Sequence, residues 1–265
     1  MKTHLLLVST LMLGAVATPA LAHPRMGERM MRARIEAHVD DALDAINANP
    51  QQRVAVRSAV EQLGKELHDH RAERFSKLAD AAQLFGADKL DAQKVAELRG
   101  YHDREAERLS DAVVQAVYDV HAALTPAQRK QLVDYVQREM PQGGAGWRQK
   151  WMVNMVDDRL DDVLDQLKAT PEQRKKLGSL KDGIVGSWLA GKDERRSLLQ
   201  SALTLFGSDT LDKKRVAELR TTYLQRHKAL ADRVEAAVRE VHATLTPEQR
   251  RAAVELAKLH HRKRG

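Results

Sequence analysis

The chain has 265 residues, 31% of them charged, a formal net charge of +7 and no cysteine. That composition excludes disulfides, thiolate metal sites and thiol nucleophiles, so the fold stands on packing alone, and the modest basic excess favours an anionic partner without naming one. With three Phe, four Tyr and three Trp and no basic-aromatic surface pattern, nucleic acid is not an expected partner.

The first element is a leader. Lys2, an apolar run from Leu5 to Val16 and the small-x-small signal Ala20-Leu21-Ala22 read as a signal peptide, residues 1–22, cleaved after Ala22 for export to the periplasm. The apolar run is shorter than the roughly 20 residues a membrane span needs.

Beyond it, Leu, Ala, Arg, Asp, Glu and Gln dominate and no alternating strand pattern appears, which predicts an all-α fold. A shift of 121 residues lays one half of the chain over the other without a gap: "LFGADKLDAQKVAELR" at 84–99 over "LFGSDTLDKKRVAELR" at 205–220, and "VHAALTPAQR" over "VHATLTPEQR". The expected organisation is a helical module at 23–139, a joint at 140–150 containing "MPQGGAG", and a second module with a basic tail at 151–265.

Four helical stretches are predicted in each copy. The first carries Ile35, Val39, Leu43 and Ile46 on one stripe, matched by Val156, Leu160, Leu164 and Leu167. Its other face is acidic, with Asp40, Asp41 and Asp44 mirrored by Asp161, Asp162 and Asp165. The second follows Pro50 or Pro171 and is expected to end on Gly86 or Gly207 as C-terminal caps. In copy two it contains Gly178, Gly183, Gly186 and Gly191, and each interior Gly costs a helix roughly 0.5–1 kcal/mol, so a bent, broken or mobile stretch is expected there. The third is a rod from Asp91 to Ala123, repeated in copy two, with one apolar stripe and a wide charged surface that must lie against partners. A short fourth helix bears Leu132, Val133 and Val136.

One phrase punctuates these stretches. In "LTPEQR", Thr246 is a good N-cap, Pro247 sits at the first helical position where its missing N–H costs nothing, and Gln249 can reach back to the cap residue's N–H. Thr125, Pro126 and Gln128 repeat the device, as do Thr170, Pro171 and Gln173, and Asn49, Pro50 and Gln52. Each is a helix restart whose cap contributes on the order of 1 kcal/mol.

Two intact Leu-Thr-x-x-Gln phrases, Leu124 to Gln128 and Leu245 to Gln249, each after a long helix, behind a leader and without cysteine, resemble the Spy and CpxP family of periplasmic stress proteins. The other two phrases lack the leading Leu. The resemblance covers almost all of the chain beyond the leader. It implies long curved amphipathic helices arranged as a cradle, here two tandem four-helix Spy-like modules forming one pseudo-symmetric cradle, as a monomeric pseudo-dimer or a homodimer. It also implies ATP-independent binding of unfolded or misfolded envelope proteins. Alternatives it leaves open are a stress-signalling adaptor docking on the periplasmic domain of a sensor kinase, and a metal-binding resistance protein.

Candidate site residues follow from the long helices. Arg104, Arg108, Arg226 and Arg233 flank the apolar stripe as a charged rim for clients, and Leu109, Val113, Leu230 and Val234 are candidates for the apolar patch. Helix packing is the competing role for those four. Trp147, Trp151 and Trp188 are anchors of the region at and after the joint, Trp188 also being open to a client. No cofactor is expected; for zinc, copper or nickel the candidates are His23, His260 and His261 at the ends, and His38 beside Asp41. His68 and His70 point to different sides of a helix, and His121 and His242 are read as imidazolium ions favoured by a helix C-terminus. No metalloprotease motif, phosphate loop or nucleophile elbow occurs, so a non-enzyme is expected.

Overall fold

The structure, a computed structural model, describes residues 26–139 and 145–263, without the side chains of residues 26–29, 31, 71, 72, 145–149, 152 and 259–263. The predicted leader and the "MPQGG" part of the joint lie outside the described residues, as do His23 and the side chains of Trp147, His260 and His261.

Ten α-helices and no strand occur among the described residues. Copy one contributes α1 (Met26–Ala45), α2 (Pro50–Asp69), α3 (Arg71–Gly86), α4 (Ala92–Ala123) and α5 (Pro126–Glu139). Copy two contributes α6 (Ala145–Gln166), α7 (Pro171–Ala190), α8 (Lys192–Phe206), α9 (Lys213–Thr244) and α10 (Pro247–Lys263). The fold is all-α, but each copy has five helices where the periodicity predicts four. The second predicted stretch divides at His70 in copy one and at Gly191 in copy two, which are equivalent positions in the repeat.

Two local expectations are corrected in part. The Gly-rich stretch of copy two does break at Gly191, but up to there it is a continuous helix from Pro171 through Gly178, Gly183 and Gly186 to Ala190. Those three glycines have no atom within 4 Å of where a Cβ would stand, so nothing presses on them, and the helix survives their poor propensity. The stretches do end where expected, α3 on Gly86 and α8 just before Gly207, but neither glycine is at positive φ. A Cβ on Gly86 would meet Val254 at 3.3 Å, a tight contact that favours glycine there, and one on Gly207 would meet Val133 at 3.4 Å, at the edge of ordinary contact. The left-handed caps are instead Asn47 (φ 50°) and Lys168 (φ 49°). Ala48 N–H donates to Leu43 C=O and Asn47 N–H to Asp44 C=O, a Schellman motif repeated by Ala169 with Leu164 and Lys168 with Asp165.

The chain divides into two compact units, and each draws on both sequence copies. Unit 1 comprises residues up to Arg71, Arg104–Pro141 and Glu194–Arg226; unit 2 comprises Ala72–Asp103, Gln142–Asp193 and His227 onward. The long helices α4 and α9 are each shared between the units, and α3 and α8 have changed places. In unit 1, Val39, Leu43, Ile46, Val56 and Leu124 of copy one close on Phe206 of α8, while Leu199 and Leu203 bury against Val136 of α5. Leu203 and Ile46 are the largest fully buried side chains described. In unit 2, Leu164, Leu167, Leu177 and Leu245 of copy two are packed by Phe85 of α3.

Candidate functional site

The capping phrase is built as its spacing requires, and then goes further. Asn49 Oδ1 accepts from Gln52 N–H at 2.9 Å while Asn49 N–H donates to Gln52 Oε1 at 3.0 Å, and Thr170 with Gln173, Thr125 with Gln128 and Thr246 with Gln249 repeat the reciprocal box. The four glutamines then join in pairs. Gln52 Nε2 lies 2.7 Å from Gln128 Oε1 and Gln128 Nε2 lies 2.9 Å from Gln52 Oε1; Gln52 also donates to Ala123 C=O and Gln128 approaches Ile46 C=O. Gln173 and Gln249 form the same clasp in unit 2, with Thr244 C=O and Leu167 C=O as the backbone acceptors. Two helix restarts are thereby locked to each other and to the ends of two other helices.

The arginine that follows each glutamine is a functional residue that the capping pattern overlooks. Its sequence signal is plain, because Gln-Arg recurs in all four phrases. Arg53 and Arg174 use the acidic face of the first helix: each reaches its carboxylate, Asp44 or Asp165, at 2.6 Å. Arg129 and Arg250 are different, buried to 5% exposure. Arg129 donates to His121 C=O and Leu124 C=O at the end of α4, and across to Ser208 C=O and Asp209 C=O after α8. Arg250 does the same with His242, Leu245, Ala87 and Asp88. Carbonyls exposed at helix C-termini carry partial negative charge, which compensates a buried guanidinium. These two arginines therefore bind the exchanged turn into each unit.

The histidine beside Arg129 is corrected from the dipole reading. His121 is buried, edge-on to the Phe206 ring, with Nε2 3.2 Å from Ser208 C=O. Burial pushes its pKa down, the hydrogen bond to Ser208 works against that, and Arg129 adds to the depression, so the ring is a neutral Nε2–H donor. His242 sits likewise against Phe85 and Ala87 C=O.

The candidate client residues fall in different environments. Arg104, Arg233 and Val234 are exposed; Arg108, Leu109, Arg226 and Leu230 are half-buried; Val113 is buried with Leu63 and Ala116. Arg108 is held by Glu66 at 2.6 Å and Glu105 at 3.1 Å, and Arg226 by Glu194 at 3.0 Å. Trp151 is 60% exposed and Trp188 half-buried. In unit 1 the valines of α4, Val113, Val114 and Val117, face Leu198 and Leu205 of α8 and Leu219 of α9 across a small open apolar cleft. Arg220 lines it and pairs with Asp111 at 2.7 Å; burial pushes the neighbouring Tyr223 phenol up. In unit 2, Val234 and Val238 stand 41% exposed on α9.

Among the described residues, no group of three or more His, Asp or Glu side chains is placed to hold a metal ion, and no helix is long and apolar enough to cross a membrane.

Neither a curated protein nor a solved structure matches the chain. Residues 155–257 match the family model described as LTXXQ motif family protein, and residues 4–131 match the one described as Heavy-metal resistance. The two matches fall one on each copy of the repeat, and the clasped Leu-Thr-x-x-Gln caps recur in both. The chain is accordingly a tandem-duplicated member of the LTXXQ-motif, Spy/CpxP-like protein family.

Proposed function

We propose that the protein is an ATP-independent, chaperone-like binder of unfolded or aggregation-prone envelope proteins, acting in the periplasm after cleavage of residues 1–22. One observation carries the reading: apolar surface is left open on the long helices, as the valine-lined cleft of unit 1 and as Val234 and Val238 in unit 2, among charged side chains such as Arg233 and Arg239. Weak apolar contacts next to ions of both signs suit many different unfolded segments, since no single shape is demanded of the partner. No catalytic role is assigned to any residue.

Chemically denatured substrates of two unrelated proteins, diluted into buffer with a near-stoichiometric amount of the mature chain and no ATP, should scatter less light than controls. If both aggregate at their normal rate, the binding surface serves a single docking partner, such as a sensor domain, instead. The Heavy-metal resistance description motivates a control. Titration with zinc, copper and nickel should show no binding at micromolar concentration, and a stoichiometric ion would move the function to metal handling through the chain ends.

A further inference from the structure

One carbonyl oxygen in unit 1 serves two buried donors. Arg129 Nε–H lies 3.1 Å from Ser208 C=O and His121 Nε2 lies 3.2 Å from the same oxygen, and Arg129 also donates to the C=O of His121 itself at 2.9 Å. The neutral ring spends its single N–H on Ser208. A proton on Nδ1 would turn it into a second buried cation beside the guanidinium, at an oxygen that already carries one. Among the described residues no carboxylate is paired with the ring to offset that charge. Asp209 of the turn is held by Lys130 of α5 at 3.4 Å, Asp44 of α1 by Arg53 of α2 at 2.6 Å, and Asp119 of α4 accepts from Gln115 at 2.8 Å. The charge that faces His121 is Arg129.

The turn seated on this pair covers apolar surface. Phe206 stands edge-on to His121, and Leu203 and Leu199 follow on the same face of α8, all three buried. The repeat shows what unit 2 does without such cover. Leu78 of α3 is the equivalent of Leu199 and is 54% exposed, Ala82 replaces Leu203, and α10 carries Ala257 where α5 carries Val136. Unit 1 thus conceals an apolar helix face whose counterpart in unit 2 is smaller and already open.

We propose that the seat at Ser208 C=O is an acid-released latch: protonation of His121 frees the 207–212 turn from Arg129 and lifts Phe206, Leu203 and Leu199 out of the unit 1 core, adding apolar surface for unfolded clients as the pH falls. The proposal rests on the chaperone-like reading and names its regulation. The direction follows from the ring's surroundings. Burial lowers the folded pKa, the bond to Ser208 opposes this and Arg129 adds to it, so the opened form, with an ordinary ring, takes up the proton below a pH of about 6.5. For one proton the opening constant should rise about three- to tenfold between pH 7.5 and pH 5.5. Little else on the surface holds the turn to α5, because the Lys130–Asp209 pair is exposed. The Gln52–Gln128 clasp contains only amides, which do not titrate, so α1, α2 and α5 stay joined while the turn opens.

The test is hydrogen exchange on the mature chain at pH 7.5, 6.5 and 5.5, corrected for the intrinsic exchange rate at each pH. Protection of residues 203–212 should fall about three- to tenfold from pH 7.5 to pH 5.5, while that of 39–46 in α1 changes less than twofold. His121→Gln keeps an N–H donor and cannot titrate, so its protection at 203–212 should be flat over the same range. If that variant fails to fold, the wild type alone decides: protonation of the His121 ring, followed by NMR, must share its midpoint with the loss of protection. Constant protection in the wild type, an equal fall in His121→Gln, separate midpoints, or an equal loss at 39–46 would each overturn the latch. The aggregation assay distinguishes the latch from the reading beneath it. Suppression should improve from pH 7.5 to pH 5.5 more in the wild type than in His121→Gln, and an equal change in both would overturn the regulation. Failure of the wild type to suppress at either pH sinks the chaperone-like reading itself, and hydrogen exchange then judges the latch alone.

Discussion

A glutamine at the third position of a helix usually completes one cap, but here each also donates to a backbone carbonyl and to the glutamine of a second cap. Gln52→Ala and Gln128→Ala should each cost on the order of 1–3 kcal/mol, since a cap is lost and a partner amide is left unsatisfied. The double variant should fall short of the sum by about 0.5–3 kcal/mol, measured by urea denaturation; additive losses would show that the 2.7–2.9 Å contacts between the amides carry no coupling. His121 gives a pH dependence. Its folded pKa lies below the unfolded value of about 6.5, so the unfolded chain takes up the proton first. Stability is therefore full above that value and falls as the pH drops below it, and His227, depressed mainly by its burial, against Asp103 and with Arg99 and His102 adding to it, acts in the same direction. The urea midpoint should decrease between pH 8 and pH 5, and less steeply in His121→Gln. A steeper fall in the variant would contradict the buried neutral ring.

At the scale of elements, α7 is the helix with the most room for improvement. Gly178→Ala, Gly183→Ala and Gly186→Ala meet open space, so each should stabilise by about 0.5–1 kcal/mol, visible as a higher melting temperature. A loss at any of the three would mean that the glycine serves contact with a ligand. The phrase arginines divide by what they hold. Arg53→Ala breaks an ion pair whose Asp44 side is exposed and one hydrogen bond to Ala48 C=O, and should cost about 1–2 kcal/mol. Arg129→Ala strands four carbonyls and frees the turn after α8, and a cost of about 3 kcal/mol is expected. Hydrogen exchange should accelerate at 207–212 in Arg129→Ala and not in Arg53→Ala. Helix positions, caps and the acidic partner face were legible at this scale because they depend on residues within a few positions of one another. The left-handed caps were not: Asn47 tolerates positive φ, but its counterpart Lys168 is a poor residue for it, and both are held there by the Schellman bonds and by burial of Ala48 and Ala169.

At the scale of the whole chain, neither sequence copy contains a complete compact unit, since copy one needs α8 and the first part of α9 from copy two. A fragment of residues 23–139 should therefore elute as a homodimer, each chain supplying its own 72–103 to the other in place of 194–226. A monomer with a cooperative melt would show that α3 can return to its own copy. The sequence by itself determined the duplication, the all-helical content, the capping phrases and the apolar stripes, because period, offset and cap chemistry are local or self-referential signals. Only the tertiary structure decided the exchange. Phe85 and Phe206, Gly86 and Gly207, and Asp88 and Asp209 are the same residues in the two copies, so either turn offers either core the same ring, the same close approach and the same carbonyls for Arg129 or Arg250. Local chemistry leaves that choice degenerate, and the continuous helices α4 and α9, which carry the chain from one unit into the other, resolve it.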